Sequence, residues 1–118
     1  MNYFIKTIQA TRHSVSGIKM ALKEERAVRL EMAVFAPLII IALAMDFTNI
    51  EKILLILPIM MVFSCELLNT AIEKLIDELG QGKICHTFKF AKDVGSSAVF
   101  FMILMTILSW SLIIFGKA

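Results

Sequence analysis

ILLILPIMMVFSCELLNTAIEKLI, residues 53–76, is the stretch on which the fold turns. Its first half is an unbroken apolar run, and a helix of this length crosses a bilayer, because about 20 residues cover the roughly 30 Å hydrocarbon layer. Its second half carries Glu66, Asn69 and Glu73, residues that a membrane interior tolerates only at a cost. The chain on either side reads the same way. Residues 94–115 hold no charge and lie between Lys92 and Asp93 on one side and Lys117 on the other. Residues 32–45 are also uncharged, and this run reaches spanning length by taking in Arg29 and Glu31, whose long side chains snorkel toward the interface. Pro37 within it is tolerable in a membrane helix. The composition agrees: 58% of the 118 residues are hydrophobic and 19% charged, against about 45–50% and 25% for soluble domains. A large soluble catalytic core is excluded. The predicted fold is all-α: an amphipathic surface helix over about residues 1–26, then three transmembrane helices over about 28–47, 53–76 and 94–115, in a single domain spanning 1–118.

The distribution of charge sets an expected orientation. Lys6, Arg12, Lys19, Lys23, Arg26 and Arg29 lie at or before the start of the first span, and Lys74, Lys83, Lys89 and Lys92 surround the second connection, which leaves Lys52 and Lys117 for the other side. This bias predicts a cytoplasmic N-terminus and second loop, and an external C-terminus. Ahead of the first span, Phe4, Ile8, Val15, Ile18 and Leu22 recur at helical spacing with basic residues mostly between them, the pattern of a helix lying on the inner membrane surface. The simplest role for that helix is an interfacial anchor. No removable signal peptide is expected, because the N-terminal segment is dotted with charges and lacks an apolar run ahead of a cleavage site. The net charge of +2 gives no reason to expect nucleic-acid binding. Cys65 and Cys85 lack metal-site spacing and read as free thiols.

At about 100° per residue and with Glu66 as origin, Asn69 falls near 300°, Thr70 near 40°, Glu73 near 340° and Asp77 near 20°. These residues form one polar face that runs about 16 Å from Glu66 toward the second loop. Helix-to-helix hydrogen bonding explains a lone Asn or Thr, but two carboxylates seven residues apart point to chemistry. Carboxylates together with phosphate oxygens are the ligands Mg²⁺ prefers, and a carboxylate in a low-dielectric site suits a general base. Together they describe phosphoryl transfer to a lipid hydroxyl. Glu24, Glu25, Lys92 and Asp93 are placed to complete such a site, although on spacing alone membrane-boundary snorkelling for Lys92 and helix N-capping for Asp93 are the readier explanations. Gly80-Gln81-Gly82-Lys83 lacks the spacing of a phosphate-binding loop and reads as a flexible turn, while His13 and His86 stand outside any HExxH or Ser/His/Asp pattern.

The segment Glu66-Leu-Leu-Asn69-Thr-Ala-Ile-Glu73, with Asp77 and then Ala91-Lys92-Asp93-Val-Gly95-Ser96-Ser97-Ala98-Val99, closely resembles the signature of the small prokaryotic diacylglycerol kinases. Ser14, Gly17 and the run from Glu25 through Arg29 to Glu31 stand in matching places, so the resemblance covers nearly the whole chain. It implies a homotrimeric, three-span enzyme of the bacterial inner membrane that transfers the ATP γ-phosphate to diacylglycerol. It also implies Glu66 as general base, Glu25 and Glu73 as ligands of Mg²⁺-ATP, and Asn69 as a neighbour orienting the base. Lys92 and Asp93, with Lys6, His13 and His86, match nucleotide-side positions. Lys6, Ser14, Arg29, Glu31 and Ser96 match positions near the lipid or the phosphates. Lys6 stands where Arg is common and His13 where Tyr is common, and the second loop is one residue longer than the pattern, which leaves either Cys85 or His86 for the family's His position. Active sites shared between subunits are implied too, with Glu25 serving a neighbour's Glu66. A related branch phosphorylates undecaprenol, and from another class a small cation-coupled exporter or a non-catalytic membrane subunit competes.

Overall fold

The computed structural model describes residues 2–116, so Lys117 and the extreme ends of the predicted domain lie outside the described residues. Four helices follow one another: α1 (Tyr3–Glu24), α2 (Arg26–Ala44), α3 (Asn49–Gly80) and α4 (His86–Gly116). No strand occurs among the described residues, and α2, α3 and α4 are each long and apolar enough to cross a membrane.

The boundaries have local causes. Asn2 caps α1 by accepting from the Ile5 N–H at 2.9 Å. One extended residue, Glu25, separates α1 from α2. Its N–H bonds the Ala21 carbonyl at 2.9 Å, and the Arg29 guanidinium donates to the Leu22 and Lys23 carbonyls at 2.9 and 2.8 Å, so the end of α1 is satisfied although the chain turns at once. The short turn after α2 ends in a reciprocal cap: Thr48 Oγ1 accepts from the Glu51 N–H, and Glu51 accepts from the Thr48 N–H. Lys52 Nζ reaches back to the Leu43 carbonyl at 3.1 Å. Between α3 and α4, Gln81 and Gly82 both adopt positive φ, 49° and 83°, which forms the turn read at Gly80–Lys83.

α3 and α4 make the most extensive contact and α2 packs on α3, whereas α1 touches the rest sparsely and buries no side chain. Pro58 helps lock the α3–α4 pair. A proline has no N–H to give the carbonyl four residues back, so the Leu54 carbonyl is left for an outside donor. Ser109 Oγ supplies it at 2.7 Å, and Trp110 Nε1 bonds the next carbonyl, that of Leu55, at 2.9 Å. The inner seam of α3 runs through Leu55, Ile59 and Val62, all fully buried, and continues at spacings of three and four through Glu66, Asn69, Glu73 and Asp77. One seam is thus apolar toward the short turn and polar toward the α3–α4 loop. Most other large apolar side chains are exposed, as lipid-facing surfaces require.

Two boundaries differ from the apolar segments. α3 runs on to Gly80, and α4 starts at His86, eight residues before the uncharged stretch. Hydropathy marks the part of a helix that meets lipid, and a backbone helix does not stop at that boundary. Asp93 therefore lies inside α4 and is not its N-cap; it accepts from Lys89 Nζ at 2.6 Å, one turn earlier.

Candidate functional site

Four carboxylates gather toward the loop end of the polar seam. Glu66 and Glu73 come from α3, Glu31 from α2 and Glu25 from the break between α1 and α2. Glu31 and Glu66 are close enough to influence each other, and the charges of Glu73 and Glu25 also reach Glu66. Asn69, almost fully buried, donates from Nδ2 to Glu73 Oε1 at 3.2 Å. Its Oδ1 presses on Gly95 of α4, where any Cβ would collide with it. Glycine is needed at this crossing because α3 and α4 approach too closely for a side chain. Glu31 Oε2 and Asn69 Oδ1 are buried without a hydrogen-bond donor. Such oxygens call for a cation or a hydroxyl.

Two clefts flank this seam. One, of about 480 Å³, opens between α1 and α3, with an apolar lining that includes Gly17, Ile18, Met20 and Leu67, and with Ser14, Glu24, Glu25, Thr70 and Lys74 as its polar members. The other, of about 420 Å³, lies between the loop ends of α3 and α4 and presents Lys83, Lys89 and Lys92 beside Asp77 and Asp93. Lys92 Nζ pairs with Asp77 Oδ1 at 3.0 Å and feels the charge of Glu73. The first cleft suits an acyl glycerol backbone and the second a polyphosphate, with the carboxylates between them.

The structure brings together Glu25, Glu31, Glu66, Asn69 and Glu73, and sets Lys92 and Asp93 in the lysine-rich cleft. Ser14 lines the apolar cleft, while Lys6 and His13 are exposed on α1 and do not line it. Arg29 is occupied in capping α1. His86 begins α4, its ring centroid 6.4 Å from that of Phe90, and Ser96 is exposed beside Gly95. Within the single chain the charge of Glu25 reaches Glu66. Glu25 is held against α3 by Lys74, a residue grouped from sequence with the loop charges. Lys74 projects from α3 and pairs with both Glu24 and Glu25 at 3.4 Å. Among the described residues no three His, Cys, Asp or Glu side chains form a complete metal cage. Two carboxylates plus phosphate oxygens are nonetheless the donor set that suits Mg²⁺, so the residues fit that ion.

A membrane-embedded helical protein with acidic residues between an apolar cleft and a cationic one is, by class, a candidate for acting on lipids at the interface. The comparisons with known proteins are specific: the chain belongs to the prokaryotic diacylglycerol kinase family, whose model matches residues 12–114. It is 32% identical to the diacylglycerol kinase of Escherichia coli K12 over 113 residues, 96% of this chain and 92% of that one. It is 36% identical to that of Haemophilus influenzae over 109 residues, 92% and 91% of the two chains. The Pseudomonas aeruginosa diacylglycerol kinase is 31% identical over 112 residues, 94% and 89% of the two chains. Neither an exporter nor a non-catalytic subunit is favoured, and the matched relatives carry the diacylglycerol name.

Proposed function

We propose that this chain is an ATP-dependent diacylglycerol kinase, producing phosphatidic acid from the lipid's free hydroxyl and the γ-phosphate of ATP. The observation that carries the reading is the Glu66–Asn69–Glu73 seam, faced by Glu31 and Glu25 and set between an apolar cleft and a lysine-rich one. Glu66 takes the proton of the lipid hydroxyl as that oxygen attacks the γ-phosphorus; the new O–P bond forms while the bond to the β-phosphate breaks, and ADP leaves with the electron pair. Asn69 fixes Glu73 through its hydrogen bond, and Lys92 offers its charge to the leaving phosphates. Glu25 and Glu73 would hold Mg²⁺, which when bound neutralises β- and γ-phosphate oxygens. Ser14, Glu31 and Ser96 are the residues nearest the lipid in this reading, with Lys6, His13, His86 and Asp93 on the nucleotide side.

The whole chain works as one kinase unit in the bacterial inner membrane. The excess of Lys and Arg at the α3–α4 loop and the N-terminus supports a cytoplasmic site, where ATP is found. A homotrimer with sites at its subunit boundaries fits the bare apolar faces of α2 and α4 and the half-buried state of Glu66. The test is incorporation of ³²P from labelled ATP into lipid in mixed micelles, with diacylglycerol and undecaprenol offered side by side. Diacylglycerol is the expected acceptor, and Glu66→Gln should lower turnover by the ~10²–10⁴ typical of a lost general base. Labelling of undecaprenol alone, or near-normal turnover in a folded Glu66→Gln protein, would contradict the proposal.

A further inference from the structure

The residue the reaction scheme leaves unused is Lys74, and its position is unusual. On α3, Leu67, Thr70, Ala71 and Lys74 recur at spacings of three and four on a face adjacent to the catalytic seam, and all four line the apolar cleft beneath α1. Lys74 Nζ stands 3.4 Å from Glu24 Oε1, at the last turn of α1, and 3.4 Å from Glu25 Oε1, the sole extended residue before α2. One ammonium is shared by two carboxylates on either side of a single-residue hinge. Among the described residues this is the polar tie between α1 and α3, and α1 buries no side chain that would hold it there otherwise.

We propose that Lys74 is a positioning residue: it clasps the Glu24–Glu25 hinge so that α1 stays folded over the lipid cleft and the Glu25 carboxylate stays beside Glu66. The inference rests on the reading of Glu25 as a site residue. Without the ammonium, two adjacent carboxylates repel at the hinge and α1 swings on Glu25, which widens the cleft. The guanidinium of an arginine keeps the charge and has the reach to restore both pairs.

The test uses the full chain in lipid nanodiscs, with Cys65 and Cys85 replaced by serine and spin labels at Ser16→Cys on α1 and Leu79→Cys on α3, diluted with unlabelled subunits. Pulsed distance measurements on the Lys74→Met protein should show a broadened α1–α3 distribution, and its KM for diacylglycerol should rise ~2- to 10-fold, the scale of two exposed ion pairs. Lys74→Arg should keep the narrow distribution and a KM near that of the parent. Raising salt from about 0.1 to 1 M, which shortens the screening length from about 10 to 3 Å, should broaden the parent but not broaden Lys74→Met further, because there salt screens only the repulsion between Glu24 and Glu25. An unchanged distribution in Lys74→Met, or an arginine variant that behaves like methionine, overturns the clasp. A broadened distribution with parental kinetics overturns the positioning role. Full activity in Glu25→Gln would instead sink the reading of Glu25, while the distances would still decide the clasp.

Discussion

Replacing Gly95 by alanine tests the crossing that fixes the site. In an open helix the change helps, because alanine exceeds glycine in helix propensity by about 1 kcal/mol. At Gly95 the added methyl runs into Asn69 Oδ1, with the amide carbon only 3.4 Å away. Asn69 is nearly fully buried, so its amide retreats only by giving up the 3.2 Å bond to Glu73 or by pushing α3 off α4. Overpacking of this kind costs about 1–3 kcal/mol, and the lost hydrogen bond adds about 0.5–1.5. Net of propensity, Gly95→Ala should destabilise by about 0.5–3.5 kcal/mol. Displacing a site group by about 1 Å should cost turnover about 10²-fold. Gly17 is the control: it is helical, a Cβ there meets nothing within 4 Å, and alanine should hold or raise stability. Thermal unfolding in detergent followed by circular dichroism, together with kcat, measures both effects. Parental melting and turnover in Gly95→Ala would refute the argument that α3 and α4 meet too closely there for a side chain.

Other outcomes follow from the same geometry. Glu73→Gln should raise the Mg²⁺ concentration needed for half-maximal rate as well as slow turnover; an unchanged metal titration would make Glu73 structural. Since Glu25 lies in reach of its own Glu66, mixing Glu25→Gln with Glu66→Gln subunits should recover no activity once cross-linking verifies exchange; recovered activity would place Glu25 in a neighbour's site. Ser109→Ala should destabilise by about 0.6–2 kcal/mol, the scale of membrane hydrogen bonds. That cost should nearly vanish in a Pro58→Ala background, where the restored N–H serves the Leu54 carbonyl; equal costs in both backgrounds would show that Ser109 does not substitute for it.

The seam of α3 was legible because period carries it: Glu66, Asn69, Glu73 and Asp77 share a face whatever surrounds them. So were the three spans and the turn at Gly82, which glycine and hydropathy announce directly. The helix ends were less so, since α4 starts at His86 through a polar stretch that has no apolar signature. Contacts between helices were invisible. Nothing in local spacing says that Glu31 faces Glu66, that Gly95 receives Asn69, or that Lys74 reaches across some fifty positions to Glu24. Arg29 is a further case, since no spacing announces that its guanidinium caps the Leu22 and Lys23 carbonyls at the end of α1.

The indole that bonds the Leu55 carbonyl belongs to the chain's only tryptophan. Its fluorescence is therefore a single-site optical reporter of the α3–α4 joint, placed at the opposite end of α3 from the carboxylates. Nucleotide titrations should leave its emission quiet, whereas parting of the two helices frees the indole N–H and changes its wavelength. One unlabelled protein sample thus separates loss of the scaffold from loss of the chemistry.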